Sequence, residues 1–193
     1  MNWLVAGLII FFAVHSISIV NEPWRDRMVT RMGEGPWKGI YSVVAAIGFF
    51  LIVWGYGLAR QESAVLYFSA PWLMPLSMLL MIPVFPLLLA TYSPGRIRAF
   101  ARHPMLIATI LWAFAHLLVN GRLTDVLLFG SFLVWSGLDL FSMRQRVQRT
   151  VPSAPALRFN DLITLVLGLA FYGMFVVWLH SMLIGVPLGA LTP

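Results

Sequence analysis

The chain has 193 residues, 60% of them hydrophobic and only 10% charged, with a mean hydropathy of +0.87. A water-soluble domain of this size needs more polar surface than that, so the composition points to an all-α chain that crosses a lipid bilayer several times. The formal net charge of +6 fits basic loops facing anionic lipid and calls for no nucleic acid. Cysteine is absent, which excludes disulfides, thiolate metal sites and a cysteine nucleophile.

The length suits a single domain, residues 1–193. Met1-Asn2-Trp3-Leu4 lacks a basic n-region and no A-x-A site follows, so the first helix is expected to stay in the mature protein. The first span reads from Trp3 to Val20, interrupted by His15-Ser16. Glu22 to Lys38, with Pro23, Gly33, Gly35 and Pro36, reads as a loop, and Trp24 and Trp37 suit the membrane interface. The second span, Gly39 to Ala59, carries Ser42, Ala45, Ala46, Gly48 and Gly55 for close helix packing. Arg60 to Ser69 is a polar turn.

The third span, Pro71 to Tyr92, contains Pro83 and Pro86, which should bend or break it. Ser93 to Arg102 is basic. The fourth span, Pro104 to Val119, opens on Arg102-His103-Pro104, with proline suited to the first helical position. Asn120 to Leu123 is short enough for an antiparallel hairpin into the fifth span, Thr124 to Met143. There Ser131, Trp135, Asp139 and Ser142 share one face. A basic loop, Arg144 to Arg158, leads to the sixth span, Asn160 to Ile184.

The predicted fold is a polytopic transmembrane bundle of about six helices. The first, third and fifth loops hold eleven of the 13 Lys and Arg residues. The positive-inside rule then places those loops in the cytoplasm and both termini on the non-cytoplasmic side of a bacterial inner membrane.

Four histidines occur. Neutral imidazole ligates iron, zinc or copper and moves protons near neutral pH. His103 and His116 are separated by about 20 Å of helical rise and a rotation of about 220°, so they cannot share a small metal site. His116 shares a stripe with Met105, Thr109, Trp112, Ala113 and Asn120, which is expected to face the bundle. His15 lies about 7 Å inside its helix end and His116 about 18 Å from the start of its own, a depth gap of about 10 Å. Either histidine suits a cofactor ligand or a hydrogen bond across two helices. His180 reads as interfacial. Arg102-His103 at a helix start suits a phosphate, a carboxylate or lipid headgroups. Asp139 is expected to pair with Arg96, Arg102 or His103.

His15-Ser16, the basic Gly-rich stretch into Tyr41-Ser42, Arg102-His103-Pro104, Trp112-Ala113, His116-Leu117 and Asn120-Gly121 together resemble the NnrU family of bacterial membrane proteins. That family includes the plant 15-cis-zeta-carotene isomerase, an integral-membrane haem b protein. The resemblance implies haem iron ligation by His15 and His116, with His103 as an alternative ligand on redox change. It links the chain to nitrite and nitric oxide metabolism and assigns no catalytic residue. The Arg-His-Pro start also looks like that of membrane S-adenosylmethionine-dependent methyltransferases. Those carry a glutamate pair where this chain has Met143-Arg144-Gln145-Arg146.

The sequence therefore predicts a membrane protein with one haem b, held by His15 and His116 or by His15 and His103 with Arg102 on a propionate. It would act in redox-dependent cis-trans isomerisation of an apolar polyene substrate or in nitrogen-oxide chemistry. The alternatives are a non-enzymatic assembly factor for a respiratory complex partner, and a methyltransferase.

Overall fold

The structure, a computed structural model, describes residues 1–149 and 151–188. Thr150 of the last basic loop and the C-terminal end, to which the sequence assigns a membrane side, lie outside the described residues. In chain order the helices are α1 (Asn2–His15), α2 (Ile17–Val20), α3 (Glu22–Met32), α4 (Glu34–Ala59), α5 (Leu73–Met81) and α6 (Val84–Ala90). They continue with α7 (Arg96–Ala101), α8 (Pro104–Val119), α9 (Leu123–Ser142), α10 (Asn160–Met174) and α11 (His180–Ile184). A π-helical turn, Phe175–Leu179, joins the last two. Strands are absent among the described residues apart from one isolated bridge between Val65 and Arg122.

Four stretches among the described residues are long and apolar enough to cross a membrane: Glu34–Glu62, Leu73–Ala90, Leu123–Ser142 and Asn160–Ile184. Asn2–His15 and Pro104–Val119 are apolar but shorter. The expected first span is thus split, ending at His15 before Ser16 and a further short turn of helix.

One expectation fails outright. The stretch Glu22 to Lys38 is helical, not a loop. Asn21 caps α3, its Oδ1 accepting from Trp24 N at 2.9 Å, and Pro23 lies in the first turn. Gly33, at φ 86°, ends α3 and opens α4, whose own first turn takes Pro36. Proline lacks the N–H that a first turn leaves unbonded anyway, so these residues mark helix boundaries.

The chain forms two compact units: Met1–Pro71 with His116–Gln148, and Trp72–Ala115 with the described residues from Arg149 onward. In the first unit α1 packs closely along α4. A Cβ on Gly7 would come within 2.6 Å of Ile52 N, and one on Gly48 within 2.8 Å of Phe11 N. A Cβ on Gly55 would collide with the Leu4 backbone. The buried side of α4 is Gly48, Ile52, Gly55 and Ala59, while Ser42 and Ala46 are exposed. Small residues let two backbones approach where lipid supplies no hydrophobic drive for association.

The α8–α9 turn is laced to the segment after α4. Gly121 O accepts from Leu66 N at 2.7 Å, and Leu123 N donates to Ala64 O at 2.9 Å. A Cβ at Gly121 would strike the Tyr67 carbonyl, so only glycine fits. Asn120 Nδ2 donates to His116 O at 3.0 Å, and the same carbonyl accepts from Asn120 N at 2.9 Å.

The second unit contains the expected break at Pro83, between α5 and α6. Ile82 N reaches only Leu79 O, at 3.3 Å. The Met78 carbonyl this frees accepts instead from Tyr172 Oη of α10 at 2.8 Å. A broken helix at membrane depth needs such a substitute donor. Helix α6 lies against α10 so closely that a Cβ on Gly168 would come 2.5 Å from Pro86 N. At the start of α10, Asp161 accepts from Arg96 N at 2.9 Å and Ile97 N at 3.0 Å, capping α7.

Candidate functional site

The polar groups of the first unit gather at the end of α1. His15 Nδ1 lies 2.7 Å from Phe11 O, one turn back. A carbonyl can only accept, so Nδ1 carries the proton and the lone pair of the neutral ring is on Nε2. The ring stacks on Phe11 at 4.0 Å between centroids. It meets Tyr41 of α4 at 5.2 Å and Trp135 of α9 edge-on at 5.7 Å. Trp135 is held in turn, its Nε1 donating to Ser16 Oγ at 3.1 Å. The Ser16 that interrupts the apolar run of α1 therefore ties α1 to α9.

Helix α9 forms the common wall. Phe129, Phe132, Trp135 and Asp139 follow at spacings of three, three and four, and so share a face. His116 stacks on Phe129 at 4.5 Å. Phe132 packs against Phe11 at 5.6 Å and Phe12 at 5.0 Å. His15 and His116 thus both meet α9, through Trp135 and Phe129, which are six residues, about 9 Å and about 120° of rotation apart along it. The depth gap read from the sequence agrees with this spacing. Phe132 occupies the level between.

Asp139 is buried, but its partner is none of those expected. Arg146, seven residues on, pairs with its Oδ1, and Ser142 Oγ donates to the same oxygen at 3.5 Å. The backbone continues past α9 in turns, with Arg146 N donating to Ser142 O at 3.2 Å. That turning carries Arg146 back onto the helix face, so Arg96, Arg102 and His103 are not needed. Asp139 lies within electrostatic reach of both His15 and Tyr41.

Arg102 and His103 belong to the second unit. Arg102 has φ 57° and ψ −50°, and His103 N donates across it to Ala101 O at 2.6 Å. This is a γ-turn, which strains any residue with a side chain. Arg102 itself is exposed. Pro104 follows and holds His103 out of the helix, while His103 O receives the first bond of α8, from Ile107 N at 3.2 Å. In the expected inward stripe Ala113 is fully buried, but Met105 is 39% exposed. His180 Nδ1 bonds Val186 O at 2.7 Å, also in the second unit.

The sequence reading passed over Tyr41, Trp135 and Arg146 as members of one site. Trp135 could have been found, because it shares a helix face with Asp139. Arg146 could not, because a cation in a basic loop carries no local sign that it turns inward.

No group of three or more His, Cys, Asp or Glu side chains converges among the described residues, so no metal cage of protein ligands is built. No curated protein and no solved structure matched the chain. Against known families it matches the NnrU protein family over residues 3–188. That match runs through both units and covers nearly all of the sequence: the chain belongs to the NnrU family.

Proposed function

We propose that this protein binds one haem b within the membrane, with His15 and His116 as the iron ligands. The observation that carries the reading is the fixed tautomer of His15. Its Nδ1–H is spent on the Phe11 carbonyl, which directs the Nε2 lone pair away from its own helix. A ligating histidine commonly has its other nitrogen held in this way, which orients the ring and raises its basicity. Phe11, Tyr41 and Trp135 supply an apolar surround that limits water. His116 stacks on Phe129 of the same helix, α9, whose Trp135 meets His15.

Bound haem would supply one-electron chemistry and an iron centre for an apolar substrate such as a polyene, or for a nitrogen oxide. The part played by the chain is to orient the imidazoles and keep the site dry. The proposal includes a bacterial inner membrane with the basic segments on the cytoplasmic side and both termini outside, supported by the skew of Lys and Arg between segments. A C-terminal alkaline phosphatase fusion should be active. An inactive fusion beside an active cytoplasmic reporter at the same site would reverse the orientation.

The direct test is a pyridine haemochrome spectrum of the full chain purified in detergent. A b-type spectrum at about one haem per chain is expected. Protein that purifies folded but without haem, and takes up none from added hemin, would overturn the reading.

A further inference from the structure

The ion pair beyond α9 leaves a donor over. Arg146 and Asp139 are only 11% and 10% exposed at their side chains. A guanidinium carries five N–H donors in one plane. Arg146 directs one nitrogen to Asp139, yet its Nε is buried with no acceptor among the described residues. A buried donor on a charged group is costly to leave unbonded. Asp139 takes Ser142 and Arg146 on the same oxygen, and neither bond uses the Arg146 Nε.

The position of that surplus matters. Asp139 is one turn beyond Trp135, whose ring edge meets His15. Gln145 and Val147, on either side of Arg146, are exposed. The cation therefore lies between an apolar, aromatic-walled histidine and an open rim. That setting suits an amphiphile with a greasy body and an acidic end. A guanidinium N–H makes a strong, charge-assisted hydrogen bond to an oxygen of such a group.

We infer that Arg146 anchors an oxyanion site beside His15, taking an oxygen of a carboxylate or phosphate group through its buried, unbonded Nε–H. The inference rests on the haem reading for one source of the anion, a carboxylate of the cofactor. A lipid phosphate is the other source of the same chemistry.

The test uses the full chain, stripped of cofactor in detergent, as wild type and as Arg146→Gln. It is titrated with hemin and with hemin dimethyl ester, whose carboxylates are blocked. The expected result is hemin bound about tenfold more weakly by the variant, the loss typical of one charged hydrogen bond, with the ester bound alike by both. Melting is also followed in nanodiscs of phosphatidylglycerol or phosphatidylcholine. If hemin binds both proteins equally but only wild type is stabilised by phosphatidylglycerol, the site stands and its anion is a lipid phosphate. Equal weakening for hemin and its ester, or no difference with either probe, overturns the inference. If wild type takes up no hemin, the haem reading falls and the lipid measurement alone decides the site. Should Arg146→Gln lose its helical circular dichroism, Arg146→Lys replaces it. A lysine keeps the charge but not the planar edge, so an intermediate loss supports the site and wild-type binding of both probes overturns it.

Discussion

Helix α9 carries two buried acids, and they are held in opposite ways. Asp125 sits in the first turn, where the helix dipole favours a negative charge. It accepts from Tyr56 Oη at 2.6 Å and from Arg122 N at 3.2 Å, the second bond being part of a capping box. Asp139 lies in the last turn, where the dipole opposes a negative charge, and is paired with Arg146. One acid is placed where the local structure wants it, and the other is kept against local preference beside His15. A group maintained against the helix dipole, in an apolar setting, marks the end of the unit where function is to be sought.

The comparison breaks most readily at Asp139. Asp139→Leu strands a buried guanidinium and should lower stability by about 3–5 kcal/mol, seen as a large drop in melting temperature in detergent. Adding Arg146→Leu should restore most of it, because removing both charges removes the stranded one. Full melting stability in the single variant would mean that Asp139 is solvated and the two acids are alike. Asp125→Ala comes next, at about 1–3 kcal/mol, because it leaves the Tyr56 hydroxyl and a backbone N–H unbonded. Its visible spectrum with haem should match wild type, and a shifted spectrum would remove the division of labour along α9. The smallest effect is expected at Arg102. Arg102→Gly relieves the γ-turn and should stabilise by about 1 kcal/mol, whereas Arg102→Ala keeps the strain and gains nothing. Equal melting of the two would place the turn outside the strained region.

Much of this arrangement could be read from the chain. The Pro83 break, the start of α8 at Pro104 and the short turn at Asn120-Gly121 all follow from what proline and glycine do to a backbone. The same residues misled at Glu22 to Lys38, where Pro23 and Pro36 sit in first turns and Gly33 between helices. Local composition cannot tell a helix boundary from a loop when each boundary residue suits both. At the site, His15 and His116 stood out because ionisable groups are conspicuous in an apolar run. Arg146 did not, since its role depends on the turn after α9 and on a partner seven residues earlier. The small face of α4 was half legible: Gly48 and Gly55 are buried, but Ser42 and Ala46 fall on the outer side, because packing follows the crossing with α1 and not residue size alone.

The central claim is that His15 and His116, which both meet α9, hold the haem. It is tested most directly by the Soret band of His15→Ala, His116→Ala and His103→Ala, each purified from membranes and checked for insertion. The account predicts that the first two lose the band while the third keeps most of it. Full retention by both His15→Ala and His116→Ala would contradict the account, and loss confined to His15→Ala and His103→Ala would move the ligand pair to the residue before Pro104.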